Sequence, residues 1–551
     1  MSGYTDLDAP PRRGVHRVVG FGAGAALLFL GFAASRNEWH FLEEELKEKR
    51  GMHAAAAEPT TSVVTLNSTD FTAIDAVCEH VAKMEGVGDC RDLDDDTLWR
   101  YVPRKMELEV DKNLVEGSIG SVALGGYVAF NMVWQDTTGD FAASWFVVVS
   151  YAGEIKTMVP LHQGGDVWRA AGLKPWSESE FVFAAGKNTL LKGYAFKADW
   201  RTGAYERLTD VEINTHDVQK GYQGNAFWSA LPSEEFQETC VDLGAACPKS
   251  SAMRISGVPR ADVQDLNHIQ ALEDDAYLLI SSRMTNTLYY VHAGNGSKIW
   301  ALGGDDGDFG VVGYSGDYYA PGESYWVGQH NAEFIGKSQY ALMNNNFDTK
   351  KNSKLLIVEF APDSDRANAT VVWEYDTGAY SQNFGDNDRL PTGNMLACWW
   401  PSETINGSDA YEARVAEITR DSMETAFRLD IYGKKTCADG ETCARGTGWL
   451  MYSVERFYEG PLVYDVTCDG HDVTFGVANA FKQASQYEGF FNITDDKDAE
   501  LATGRFSFAP HWRATAVHAK LAATSKTGTI YVENQFGSNA TATYDCRQDK
   551  P

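Results

Sequence analysis

Three histidines, His216, His268 and His330, and one arginine, Arg283, are the side chains of this 551-residue chain best suited to group transfer on an anionic ester. A neutral imidazole can attack the central atom of such an ester and leave again, so that one hard displacement becomes two easier ones. A second imidazole can protonate the departing oxygen and later deprotonate the acceptor, a contribution of roughly 10²–10⁴ in rate. A guanidinium spans two oxygens of the transferred group as a planar fork. A single strand histidine is usually just a satisfied polar residue; recurrence singles these out. His216 begins HDVQKGYQGNAFW, His268 begins HIQALEDDAYLLISSR, and His330 lies in QHNAEFIGKSQYALMNNN, 52 and 62 residues apart. A histidine-free version, SQNFGDNDRLPTGNMLACW, starts at Ser381, with Gln382 another 52 residues on.

A repeat of that length, built from short strands and turns, is the signature of β-propeller blades. Equivalent positions of successive blades face one central channel, so residues distant in sequence would converge there. WFVVVSYAGEIKTMVPL, TLLKGYAFKADWRTGAYERL, TLYYVHAGNGSKIWAL, LLIVEFAPDSDRANATVVWEYD and RVAEITRDSMETAFRL share one plan, a strand, a polar turn and a second strand. The pattern runs from about Met106 and fades after Trp449. Beyond it, LVYDVTCDGHDVTFGVANAF, GRFSFAPHWRATAVHAKL and GTIYVENQF read as strands of a small β-sandwich. The expected fold is therefore all-β, with a propeller over 106–454 and a sandwich over 455–551. Residues 1–17 read as a polar cytosolic tail, 18–34 as a membrane segment, and 35–105 as a stem with a small helical segment around FTAIDAVCEHVAKM.

The membrane segment, VVGFGAGAALLFLGFAA, is uncharged and follows Arg12, Arg13 and Arg17. Its 17 residues sit at the short edge of a spanning helix, and the preceding positive charge puts the N-terminus in the cytosol. A single-pass type II membrane protein with its folded part in the lumen or outside is one expectation. A signal peptide cleaved near Ala33 and Ala34, giving a secreted protein, is the other. Six glycosylation sequons, at Asn67, Asn295, Asn368, Asn406, Asn492 and Asn539, agree with the secretory pathway. So do nine cysteines that mostly fall in close pairs: Cys78/Cys90, Cys240/Cys247 and Cys437/Cys443, with Cys468 and Cys546 bracketing the last domain and Cys398 left over. A net charge of −29 leaves no basic stripe for nucleic acid.

HIQ at His268, the LLISSR strand, TLYYVHAGNGSKIWALGG, Asp308–Phe309 and QHNAEF together resemble the arylsulfotransferase family. THDV at His216 and LPTGNMLACW at Leu390 extend the resemblance over roughly residues 140–450. It implies a six-bladed propeller and transfer of a sulfuryl group from an aryl sulfate donor to a phenolic acceptor, without the nucleotide donor PAPS, through a sulfohistidine. His330 is then the nucleophile, with His268, His216 and Arg283 around the sulfuryl oxygens. Where the family motif usually reads His-x-Asn, this chain has Gln270, an amide one methylene longer, at the substrate-binding position. Neither a metal nor another cofactor is required.

Other readings are distinguishable. A non-catalytic propeller binding a glycan or protein partner would keep the fold with altered chemistry, and Gln270 is the departure that favours it. An aryl sulfatase of the formylglycine type needs a CxPxR motif, whereas the Cys-Pro here, CPKSS at Cys247, has Lys next. No Gly-rich loop of the kind that cradles a phosphosulfate enters a helix after a strand. Asp305, Asp306 and Asp308 lack EF-hand spacing and read as a solvated turn. His292, His511 and His518 read as structural or unmatched. Trp300, Tyr325, Trp326, Trp399 and Trp400 would suit an aryl ring, but propeller strands are aromatic anyway.

Overall fold

The computed structural model describes residues 61–67, 92–136, 141–163, 166–187, 192–222, 226–230, 238–242, 252–253, 265–362, 368–402, 410–433 and 448–547. The expected tail, membrane segment and helical segment lie outside these residues. Among the described residues, no helix is long and apolar enough to cross a membrane.

The described chain is all-β, in eight sheets whose strand pairings are antiparallel apart from one short parallel pair. Six sheets follow one another along the chain up to Phe457. The first contains Tyr127–Gln135, Phe141–Ser150 and Ile155–Pro160. The second is built on Asp166–Pro175, Glu180–Lys187 and Tyr194–Asp199, and the third starts at Gln219–Lys220. The fourth runs from Leu266–Leu272 to Lys298–Leu302. The fifth is led by His330–Gly336 and the sixth by Asp386–Arg389. Two long-range pairings complete this set. Gly448–Phe457 returns to pair with Tyr127–Gln135 in the first sheet. Thr61–Asn67, inside the stretch expected to be a stem, pairs with Lys105–Asp111, which joins the sixth sheet.

These strands are near-continuous apolar runs because most are covered on both faces, as in WFVVV at 145–149, where every residue is buried. Consecutive sheets share cores. Ile213, Val218 and Phe227 of the third meet Val182 and Ala195 of the second, and Trp228 meets Ile269 and Ile280 of the fourth. Leu302 and Leu342 join the fourth to the fifth, and Met343 and Trp399 join the fifth to the sixth. The succession then returns to its start, since Val415 and Leu429 of the sixth sheet share a core with Phe130 and Trp449 of the first.

The C-terminal part is a two-layer sandwich. A three-stranded sheet (Leu462–Asp469, Asp472–Ala478, Thr515–Lys520) faces a four-stranded one (Tyr487–Asp495, Glu500–Phe508, Thr527–Glu533, Asn539–Asp545) across Val473, Phe475, Phe491, Ile493 and Ile530. The Cys468–Cys546 disulfide ties its first and last strands, and Cys398 is a free, buried thiol. The side chains of the other expected pairs lie outside the described residues.

Four leading strands carry a β-bulge at one level: between Ala171 and Lys174, Leu266 and His268, His330 and Glu333, and Met451 and Val454. A bulge re-aims the side chains beyond it. In a regular strand His330 and Glu333 would point to opposite faces; with Asn331 at φ 48° both enter the same interior. Gly172, at φ 53°, is needed for a second reason: a Cβ there would lie 2.6 Å from Asp217 Cα and 2.7 Å from the His216 carbonyl oxygen.

Candidate active site

Where the six sheets meet, their leading strands deliver two adjoining groups of ionisable side chains. The first surrounds His330. Its Nδ1 lies 2.8 Å from Asn345 Oδ1 and 3.2 Å from the Gly328 carbonyl. The Asn345 amide is oriented by its other end, since Nδ2 donates to the Ser381 and Phe384 carbonyls at 3.1 and 2.8 Å. Both neighbours of Nδ1 are therefore acceptors, so Nδ1 carries the proton and Nε2 presents its lone pair. Burial lowers this imidazole to about 3, with the Arg283 charge adding to the effect against the opposing pull of Asp265 and Asn345. His330 is a neutral base of fixed tautomer.

Asp265 links the other members. Its Oδ2 accepts from Arg283 Nη1 at 2.8 Å, and its Oδ1 lies 3.3 Å from His216 Nε2. Burial would raise this carboxyl, but His216 and Arg283 outweigh it and hold it below its usual range. The opposite ring nitrogen of His216 faces Asn214 Oδ1 at 2.6 Å. Acceptors at both nitrogens suit an imidazolium, whereas burial, helped by Arg169 and Arg283, lowers the group toward neutrality. Asp265 pulls toward the charged form, but burial outweighs it and favours the neutral imidazole. Arg283 stacks over Phe347 at 4.4 Å, and its Nε is buried with no protein partner. That orphaned donor suits an anion. The Tyr452 ring edges both His330 and His216, with centroids 5.9 and 6.1 Å away, and its hydroxyl donates to the Asn267 carbonyl at 2.6 Å. Phe384 closes the far side of His330 at 6.1 Å.

The second group is ionic. His268 Nδ1 lies 2.9 Å from Asp217 Oδ2, off the line of a good hydrogen bond, and Nε2 is 3.7 Å from Glu333 Oε1. Glu333 takes Lys174 at 2.8 Å and Lys482 at 2.6 Å. Lys174 also reaches Glu455 at 3.0 Å, and Lys482 reaches Asp388 at 2.5 Å. Each of the six sheets contributes: Lys174, Asp217 at the entry to the third, His268, Glu333, Asp386 with Asp388, and Glu455. Lys482 comes from the sandwich. Burial alone would raise Glu333, but the two lysines overcome it and hold the carboxyl well below its usual range. Burial and surrounding acids push Asp386 up to about 6 and Asp388 well above the ordinary carboxylate value.

The structure therefore brings His216, Arg283 and His330 together and sets His268 in the adjoining ionic group, against Asp217, the residue that follows His216. Gln270, expected at a substrate-binding position, has its amide engaged by the protein. Its Oε1 accepts from the Phe334 N–H at 2.7 Å and its Nε2 donates to the Phe334 carbonyl at 3.3 Å, clamping the fourth sheet to the fifth. A substrate contact at Gln270 would have to break this clamp. Trp300, Trp326 and Trp399 pack within and between sheets. Asp306 and Asp308 serve Tyr289 and the Ala301 N–H, and no cluster suited to a metal ion occurs among the described residues.

Sequence reasoning did not single out Asp265, Asn345, Tyr452, Asp217, Glu333, Lys174 or Lys482. One signal was available. Charged residues stand inside otherwise apolar strands, as in GWLMYSVERF and AAGLKPW.

The family model described as Arylsulfotransferase (ASST) matches residues 244–420, the stretch that carries His268, Arg283 and His330. The resemblance read from the motifs is borne out there. No curated protein matches the chain. Among solved structures, TolB from Acinetobacter baumannii is 14% identical, with 60% of this chain and 68% of that chain covered and a TM-score of 0.34. Hsv2 of Kluyveromyces lactis is 11% identical over 55% of this chain and 83% of that one, with a TM-score of 0.27. Oligopeptidase B from Leishmania major is 9% identical over 87% and 65%, with a TM-score of 0.27. Likenesses this remote carry no argument about function.

Proposed function

We propose, on the premise that residues 244–420 form an arylsulfotransferase segment, that this protein moves a sulfuryl group from an aryl sulfate to a phenol without PAPS, through a sulfohistidine on His330. The observation that carries the reading is that His330 Nδ1 faces two acceptors, Asn345 Oδ1 and the Gly328 carbonyl, which assigns the proton to Nδ1 and leaves the lone pair on Nε2. In the first step the Nε2 lone pair forms the N–S bond while the S–O bond to the aryl group breaks, and the leaving phenolate takes a proton from His216. In the second, His216 takes the proton of the incoming phenol, whose oxygen displaces the imidazole from sulfur. Arg283 neutralises the sulfuryl oxygens throughout. His268 stands on the ionic side of the same reaction centre.

The cyclic succession of shared cores and the return pairing of Gly448–Phe457 support a six-bladed propeller, the site lying in its channel. The Cys468–Cys546 disulfide and the exposed sequons Asn295 and Asn539 support a folded part that faces the lumen or exterior, behind an anchor at residues 18–34.

The test is p-nitrophenyl sulfate with and without phenol, followed by nitrophenolate release and by mass spectrometry of His330. Release that requires phenol, sulfated phenol as product and a sulfuryl adduct on His330 are expected. His330→Ala should lose both adduct and turnover, by on the order of 10⁴-fold or more, while remaining folded. Release without phenol would make water the acceptor. Absence of release and adduct across several aryl donors would leave the non-catalytic propeller as the better account.

A further inference from the structure

We propose that Lys482, carried by the C-terminal sandwich, is a positioning residue of the reaction centre, holding the Glu333 carboxylate against His268 Nε2. This deepens the sulfuryl-transfer reading and rests on it.

Lys482 lies between two strands of the sandwich, Asp472–Ala478 and Tyr487–Asp495, yet its partners belong to the fifth and sixth sheets: Glu333 at 2.6 Å and Asp388 at 2.5 Å. Its side chain is 8% exposed, and those of Glu333 and Asp388 are 2% and 3% exposed. A docking contact between two modules has no need of such a group. Apolar residues of similar volume commonly stabilise as well as a buried ion pair or better, so an ammonium here is not explained by packing.

The segment is also held firmly. The Tyr458 N–H donates to the Ala480 carbonyl at 2.7 Å and Trp512 Nε1 to the Asn479 carbonyl at 2.9 Å. The His511 N–H donates to the Gln483 carbonyl at 2.7 Å, and its ring packs against Phe334 at 5.2 Å, next to Glu333. Lys482 is therefore delivered by fixed backbone on either side.

Charge balance gives it a task. The groups around Glu333 are Lys174 from the second sheet, Asp217 at the third, His268 from the fourth, Asp386 and Asp388 from the sixth, Glu455 from the first, and Lys482 and His511 from the sandwich. Five carboxyls thus share two lysines. Without Lys482, Glu333 would keep only Lys174, which Glu455 also claims. A Glu333 carboxyl that accepts a proton no longer presents a charge to His268 Nε2, 3.7 Å away.

The experiment compares full-length wild type, Lys482→Met and Lys482→Arg for phenol-dependent turnover of p-nitrophenyl sulfate from pH 4 to 9. Lys482→Met should lower kcat by roughly 10–100-fold with KM nearly unchanged. The acid limb of its kcat profile should move to higher pH, because Glu333 with one lysine accepts a proton more readily. Lys482→Arg should recover most of kcat and the wild-type profile. Should Lys482→Met fail to fold, K482M/D388N removes Lys482 together with the carboxyl it faces and carries the same expectation. Wild-type kcat and profile in either methionine variant would overturn the proposal while leaving the transferase reading intact. A wild type inactive on every aryl sulfate would overturn both.

Discussion

Around His330 burial strips imidazoles of charge, whereas around Glu333 the same depth of burial keeps charges in place. The difference lies in the neighbours. His330 has Arg283 nearby, so desolvation and a like charge act together and the ring stays neutral. Glu333 has two ammonium groups within 2.8 Å, and attraction in a poorly screened interior outweighs its desolvation. One region therefore supplies a lone pair and the other a fixed field. A single low-dielectric interior serves both ends because every sheet sends a side chain into it, four of them past a bulge in the leading strand.

The largest effect that could break this contrast is on stability. Glu333→Ala should cost about 3–5 kcal/mol, because Lys174 and Lys482 are left buried and short of a partner. Equilibrium denaturation measures it, and a loss under about 1 kcal/mol would mean the ionic group is solvated. Next comes the tautomer. Asn345→Leu should reduce phenol-dependent turnover by about 10²-fold, since only the longer contact to Gly328 then holds the Nδ1 proton. Unchanged turnover would place the nucleophilic atom elsewhere. The third effect, small near neutral pH, is on acid stability. A histidine held down at about 3 in the folded chain, against an ordinary value of 6.5, binds its proton more weakly than in the unfolded chain. Its contribution to stability is therefore present above the unfolded value and is lost as pH falls from about 6.5 toward about 3. His330→Gln should flatten that stretch of the stability curve by about one proton, or about 1.4 kcal/mol per pH unit. An unaltered slope would mean that His330 titrates normally.

That His216, Arg283 and His330 lie together was legible because a recurring segment and short motifs mark them, and the strands were legible because apolar runs broken by turns mark those. Other features left no local trace. The pairing of Thr61–Asn67 with Lys105–Asp111 crosses a stretch that reads as helix and stem. Asn345 is the middle of three consecutive asparagines, and only the Ser381 and Phe384 carbonyls distinguish it from Asn344 and Asn346. Lys482 and Glu333 are 149 residues apart, and nothing in either segment points to the other. Gln270 shows the converse hazard. Its position in the motif suggests a ligand contact, and its longer side chain also reaches the backbone of the next sheet, which the motif does not announce.

The strand Gly448–Phe457 brings Tyr452 and Glu455 to the two groups and also completes the first sheet against Tyr127–Gln135. Some 310 residues separate these partners along the chain. At a ribosomal pace of about 5–20 residues per second, Tyr127–Gln135 would wait roughly 15–60 s with a bare, apolar edge. Translation thus reaches Tyr452, Glu455 and the strand that completes the first sheet in the same ten residues. A chain that stopped at Thr447 would have an open edge inviting aggregation, and neither Tyr452 nor Glu455.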